Sequence, residues 1–281
     1  NIPVRRIFDE IGMKNVYVVP EQELPNGNFP TVRVPNPEEK DAFNLALAMQ
    51  KELGADLCVG TDPDCDRVGI ACMTADGTPR LLNGNQIGCV LLHYILSAKK
   101  KANTLPTNGA AVKSIVSTSL SNKIAASFGV EMFETLTGFK FIGEKIQQFQ
   151  DSGSHTFLFG FEESYGFLSS TFVRDKDGVN ASMLIAEVAC ACAAQGITLY
   201  DYVQSIFAEY GYFVEKVVSV TLPGKEGLGR MKEIMAGLRT NPPAEICGMK
   251  VTAVRDYKTG LRTANGVSEP TGLPTSDVLY F

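Results

Sequence analysis

Strand-length apolar runs alternate with helical patterns through the first 210 residues, and this alternation constrains the fold more than any other feature. "NVYVV" (15–19), "NPEEKDAFNLALAMQKELG" (36–54), "DLCVG" (56–60) and "VGIACM" (68–73) follow one another, as in α/β layer structures. The first long helix is predicted from its punctuation, with Asn36 as N-cap, Pro37 at the first helical position, Glu38 and Glu39 in the first turn, and Gly54 at its end. Ahead of it, "IPVRRIFDEIG" predicts a helix ending at Gly12; beyond it, "IGCVLLHYILSAKKK" predicts another whose lysines suit a C-terminus. Residues 103–109, "NTLPTNG", read as a linker.

A second α/β pattern then runs through "AVKSIVST", "SNKIAASFG", "VEMFE", "FIGEKIQQFQ" and "TFLFG" to two helical runs between 179 and 210. It repeats the order of elements of the first half without obvious residue identity. From 212, "YFVEKVVSVTL", "EGLGRMKEIMAGLR" and "MKVTAVRDY" predict strand, helix and strand of a third unit, and "SDVLYF" a further strand.

"GTDPDCDRVGI" (60–70) places Asp62, Asp64 and Asp66 at alternate positions beside Arg67 and between two apolar runs. In an extended segment these side chains lean to one side and repel one another. Three carboxylates in a partly closed site need a cation or protons. Arg67 stands where an EF-hand loop needs glycine, and Met73 where it needs a bidentate glutamate. An all-carboxylate set disfavours zinc and copper and suits magnesium or manganese. The loop follows a buried strand, where ligands gather in open α/β sheets.

Three more stretches carry polar chemistry. In "GFEESYGF" (160–167), Glu162 and Ser164 are two apart and can point together at a polyol. In "VRDKDGVN" (173–180), Arg174 and Lys176 flank a turn before a helix and can meet an anion. "TLTGFKF" (135–141) offers Gly138 for close backbone approach and Lys140 for charge. Of the two histidines, His93 lies in an apolar helical run as a core residue and His155 in a loop. No Ser-His-Asp or Cys-His arrangement, Walker loop or dinucleotide fingerprint is evident.

A net charge of −5 and a pI near 5.2 argue against nucleic-acid or anionic-membrane partners. The most apolar stretch, "MLIAEVACACAA", is too short to span a bilayer and carries Glu187. Seven cysteines form no C-x-x-C pair, and Cys58, Cys89, Cys190 and Cys192 sit in apolar runs as expected of buried thiols in a reducing cytoplasm. No signal peptide is visible, and the start at Asn1 within a helical pattern suggests an excerpt of something longer.

Taken in order, "TDPDCDR", "LTGFK", "GFEESYG" and "RDKDG", with "PNPEE" and "NGNQIG", closely resemble the α-D-phosphohexomutase superfamily, in particular its phosphoglucomutase and phosphopentomutase-like branch. The resemblance covers nearly the whole chain. It implies two consecutive three-layer α/β domains with mixed sheets, 1–106 and 107–211, and the start of an α+β C-terminal domain over 212–281. It further implies Mg²⁺ on Asp62, Asp64 and Asp66 with Arg67 beside them, sugar hydroxyls on Glu162 and Ser164, substrate phosphate on Lys176, and Gly138 within the substrate-binding set. Family members transfer a phosphoryl group between an active-site phosphoserine and a phosphorylated hexose or pentose. The serine loop and the last phosphate loop are expected outside these residues, so binding without turnover is expected of this chain. Two other readings stand beside this one. Asp64-x-Asp66 after a buried strand mimics the nucleophile motif of haloacid-dehalogenase-type phosphatases, and a non-catalytic sugar-phosphate-binding module is the other.

Overall fold

The computed structural model describes residues 2–281, which divide into one compact unit up to Val214 and a second from Glu215 to Phe281. The first unit begins with α1 (Ile2–Glu10), followed by a long irregular stretch, α2 (Asn44–Leu53) and the strands β1 (Leu57–Thr61), β2 (Val68–Met73) and β3 (Pro79–Leu82). These strands form an antiparallel meander in the order β1-β2-β3, and the aspartate motif is the β1–β2 connection. Then come α3 (Gly84–Lys101), β4 (Gly109–Ser114), α4 (Leu120–Ser127), β5 (Glu131–Thr135), α5 (Phe139–Ser152), β6 (Thr156–Glu162), β7 (Gly166–Leu168), α6 (Gly178–Ala193) and α7 (Leu199–Tyr210). The second sheet, β5-β4-β6-β7, is mixed: β4 runs parallel to β5 and β6, and β7 antiparallel to β6.

One core joins both sheets of this unit. Val68 and Ile70 of β2, Leu91, Leu92 and Leu96 of α3, and Phe159 and Phe161 of β6 are all buried in it. The helix α3 is hydrophobic on most sides because it packs against β2, β6, α4, α6 and α7. A capping box, with Asn83 Oδ1 accepting from Gln86 N and Gln86 Oε1 from Asn83 N, starts it. Strands β4 and β6 are buried along nearly their whole length, as a parallel pair covered on both faces requires.

The second unit is α+β. It contains α8 (Gly224–Thr240), the short pair β8 (Glu245–Ile246) and β9 (Met249–Lys250), and β10 (Ala253–Asp256), β11 (Leu261–Ala264), β12 (Val267–Pro270) and β13 (Leu279–Tyr280). The last four form an antiparallel sheet in the order β12-β11-β10-β13. Arg239 of α8 ties onto this sheet through Asp256 at 3.0 Å. Among the described residues, no helix is long and apolar enough to cross a membrane.

Several expectations are corrected. "NVYVV" forms no strand; Tyr17 is exposed, and the run leads into a 3-10 turn at Pro20–Gln22. The helix expected from Pro37 begins at Asn44, because Asn36 Oδ1 accepts from Glu38 N in a local turn and a 3-10 segment intervenes at Lys40–Phe43. "YFVEKVVSVTL" also lacks strand structure: Val217, Val218 and Val220 are exposed, without the neighbouring strand that apolar alternation alone cannot supply. "MKVTAVRDY" is broken between β9 and β10. Cys58, Cys89 and Cys192 are buried, whereas Cys190 is exposed, since two positions along α6 turn a side chain to the opposite face. His93 is half-buried, its Nδ1 2.6 Å from the Tyr202 hydroxyl, and burial lowers its pKa.

Candidate functional site

The aspartate loop is a turn, not the extended segment its alternation suggested. Asp62 Oδ1 accepts from the main-chain N–H of Asp66 at 3.1 Å and of Arg67 at 2.9 Å, folding the loop back on itself. The turn still gathers the charges: one oxygen from each of Asp62, Asp64 and Asp66 lies within 4.8 Å of the others. At that separation each pair repels by about 3 kcal/mol at an effective dielectric of about 20. Burial is the main cause that raises the Asp62 pKa to about 6, and its acidic neighbours add to it against the Arg67 N–H.

Two cations answer this charge. Lys176 Nζ donates to Asp66 Oδ2 at 2.8 Å and to Asp175 Oδ1 at 3.0 Å. Burial lowers the Lys176 pKa, but its bonds to Asp66 and Asp175 outweigh that and hold it above its ordinary value. Arg67 pairs with Glu38, and its Nε lies 3.9 Å from both Asp62 Oδ2 and Asp66 Oδ1. Glu38, from the "PNPEE" stretch, is a partner that sequence reasoning did not single out. Asp66 Oδ1 is buried and, among the described residues, accepts no hydrogen bond. A buried carboxylate oxygen that no described donor meets, on one of three carboxylates gathered within 4.8 Å, fits a hard divalent cation such as Mg²⁺.

The sugar-clamp candidates lie next to this loop. Glu162 ends β6 and is 7% exposed, so it is a strand residue, and its Oε1 accepts from Gly138 N at 2.6 Å. Burial raises the Glu162 pKa, with the Gly138 N–H opposing. Gly138 has φ +116°, which side chains rarely adopt, and this conformation turns its N–H toward Glu162 at the start of α5. Ser164 is half-buried in the turn joining β6 to β7. That turn is fastened to the metal loop by main-chain pairing, with Val68 N donating to Tyr165 O at 3.1 Å and Arg67 bridging to Gly166.

The lysine turn closes the arrangement. Gly178 N donates to Cys65 O at 3.1 Å, and a Cβ on Gly178 would lie 2.6 Å from that oxygen, so the approach needs glycine. The aliphatic stem of Lys176 packs against Gly166, and its ammonium lies 5.6 Å from the centre of the Phe139 ring. The structure therefore brings together Asp62, Asp64, Asp66, Arg67, Gly138, Glu162, Ser164 and Lys176. Two other candidates are turned to different tasks. Arg174 bonds Thr171 O, Gln147 and Gln150, and Lys140 is exposed with its ammonium over the Phe141 ring.

Comparison with known proteins agrees with this picture. The family described as "Phosphoglucomutase/phosphomannomutase, alpha/beta/alpha domain II" matches residues 2–76, and its "alpha/beta/alpha domain III" matches residues 83–210, α3 included. A phosphoglucomutase of Staphylococcus aureus (strain MSSA476) is 40% identical over 256 residues, covering 91% of this chain and 45% of the relative. One from Staphylococcus epidermidis is 38% identical over 280 residues, covering 98% and 50%. The chain thus spans about half the length of the curated relatives it matches. Among solved structures, a phosphoglucomutase/phosphomannomutase family protein from Burkholderia thailandensis superposes with a TM-score of 0.56 over 90% of this chain and 49% of that one, at 15% identity. Parafusin (phosphoglucomutase) from Paramecium gives 0.52 over 84% and 39%, at 20% identity. With two consecutive family domains matched and a phosphoglucomutase at 40% identity, the chain belongs to the α-D-phosphohexomutase superfamily, of which it carries the middle domains.

Proposed function

We propose that this chain supplies the divalent-metal site and the sugar clamp of a cytoplasmic phosphosugar mutase, one that interconverts hexose 1-phosphate and hexose 6-phosphate. Glucose is the first candidate, ahead of mannose, glucosamine and pentose phosphates. The supporting observation is the convergence of four loops, scattered from residue 62 to residue 178, on one carboxylate cluster with a buried glutamate beside it. Asp62, Asp64 and Asp66 would hold Mg²⁺, which when bound neutralises and orients phosphoryl oxygens. Lys176 and Arg67 would meet phosphate. Glu162 would accept hydrogen bonds from sugar hydroxyls, with the Ser164 hydroxyl beside it as donor or acceptor.

A mutase must hold its sugar in two orientations, one for each phosphorylated end. A carboxylate accepts from either of two neighbouring hydroxyls with little directional preference, which suits that task. The phosphoryl-carrying serine is not assigned to any residue here, and the 281 residues alone are proposed to bind without turning over. The haloacid-dehalogenase-type reading has less support, because its nucleophile candidate Asp64 is exposed on a turn between antiparallel strands.

Ligand-observed NMR with glucose 1-phosphate, glucose 6-phosphate, mannose 6-phosphate and ribose 5-phosphate in Mg²⁺ tests this reading. Selective binding that disappears in Glu162→Gln supports it. Binding of every phosphate alike, unchanged in that variant, would remove the sugar clamp from Glu162.

A further inference from the structure

Glu162 and Glu163 are adjacent carboxylates with different partners, the first closing β6 and the second opening the turn to β7. Glu162 Oε1 accepts from Gly138 N, whereas Glu163 Oε2 accepts from Ser114 Oγ at 2.9 Å and lies 3.3 Å from Ser117 Oγ. Glu163 N in turn donates to Ser117 Oγ at 3.2 Å. Main chain and side chain of one residue are thus pinned to the same two serines, both buried at the end of β4.

Those serines belong to a stiff support. Lys113, 2% exposed, donates from Nζ to Ser117 O at 2.9 Å and Thr118 O at 3.3 Å, and pairs with Glu134 at 3.3 Å. Thr118 N donates to Asn85 Oδ1 at 2.9 Å, which ties the same loop to the start of α3. The turn they support needs fixing, because Tyr165 holds φ +66°, a left-handed conformation uncommon outside glycine.

We propose that Glu163 is a positioning residue for the sugar clamp: it anchors the turn 163–165 to Ser114 at the end of β4 and Ser117 beyond it, and so fixes the backbone that carries Ser164. This rests on the reading of Glu162 and Ser164 as the clamp. Glu163 itself touches no substrate in this proposal.

The test compares wild type, Glu163→Ala and Glu163→Gln in the 281-residue chain by amide hydrogen exchange over 162–166, NMR titration with glucose 6-phosphate, and Mn²⁺ affinity by EPR. Glu163→Ala is expected to speed exchange in the turn about tenfold and weaken glucose 6-phosphate about tenfold, with Mn²⁺ affinity held within about twofold. Glu163→Gln is expected to restore most of both, since its amide oxygen still accepts from the serine hydroxyls. Unchanged exchange in Glu163→Ala overturns the proposal, as does a parallel loss of Mn²⁺ affinity, which would mark a general structural role. If Glu163→Ala does not fold, Ser117→Ala is measured in its place, with the same faster exchange expected. A wild-type chain that fails to bind glucose 6-phosphate, while exchange in the turn still responds to Glu163→Ala, overturns the clamp reading and leaves the anchoring of the turn in place.

Discussion

Lys176 Nζ stands 2.8 Å from Asp66 Oδ2, while the other oxygen of the same carboxylate is buried without a donor among the described residues. One side chain thereby couples the candidate phosphate contact to the candidate metal site. A cation on Oδ1 and the lysine on Oδ2 would share a single negative charge. Lys176→Met is therefore expected to raise Mn²⁺ affinity about tenfold, by removing a repelling charge, while weakening inorganic phosphate binding. Isothermal titration with each ligand checks both signs; a drop in Mn²⁺ affinity would mean that Lys176 chiefly orients Asp66.

Asp62 adds a pH dependence. Its pKa is raised from 3.8 to about 6, chiefly by burial, so a proton competes with the metal below that value. Mn²⁺ affinity should fall between pH 7 and pH 5 and lose that dependence in Asp62→Asn, which also binds weakly. The sign for stability is opposite. Between 3.8 and about 6 the folded chain keeps the Asp62 proton that the unfolded chain releases, so this group lowers metal-free stability as pH rises through that window. Urea melts at pH 5 and pH 7, with and without Mn²⁺, separate the two effects.

Gly178→Ala pushes a methyl group into the Cys65 carbonyl oxygen, 2.6 Å away. Forced separation at such a contact costs about 1–3 kcal/mol. We expect a lower Tm together with loss of Mn²⁺ binding, because the lysine turn and the metal loop are displaced from one another. Retention of full metal affinity would show that the two turns are independent.

Lys113→Met removes the ammonium that donates to the Ser117 and Thr118 carbonyls and takes away the lysine partner of Glu134. Thr118 O keeps the Ser121 hydroxyl at 2.7 Å, so the loss falls on Ser117 O; a buried carbonyl left unsatisfied costs about 1–3 kcal/mol, and a fall in Tm of about 2–4 °C per kcal/mol follows for a unit of this size. Circular dichroism melts measure it.

Much of this was legible because local chemistry and tertiary structure agree. The α3 run, the buried strands β2, β4 and β6, and the helices α5 to α7 follow directly from apolar spacing; β1 is a strand as expected, but of its residues only Cys58 is buried. The gathering of Asp62, Asp64 and Asp66 was expected from their alternate positions in an extended segment, and a turn achieves it instead. The failures have a common cause. "NVYVV" and "YFVEKVVSVTL" alternate like strands, yet a strand exists only beside another, and no local signal reports a missing neighbour. The pairings of Glu38, Glu163 and Lys113 escaped notice for a related reason: each partners residues 20 or more positions away, a relation that spacing cannot express.

The turns around the carboxylate cluster are joined through Val68 to Tyr165 and Cys65 to Gly178. Each join closes a loop of about a hundred residues, whose entropic cost must be met before any contact rewards it. The sheets and helices can form earlier, from nearer contacts. Binding competence should therefore be the last property acquired during refolding, lagging behind the helical signal and arriving only with the final closure of the chain.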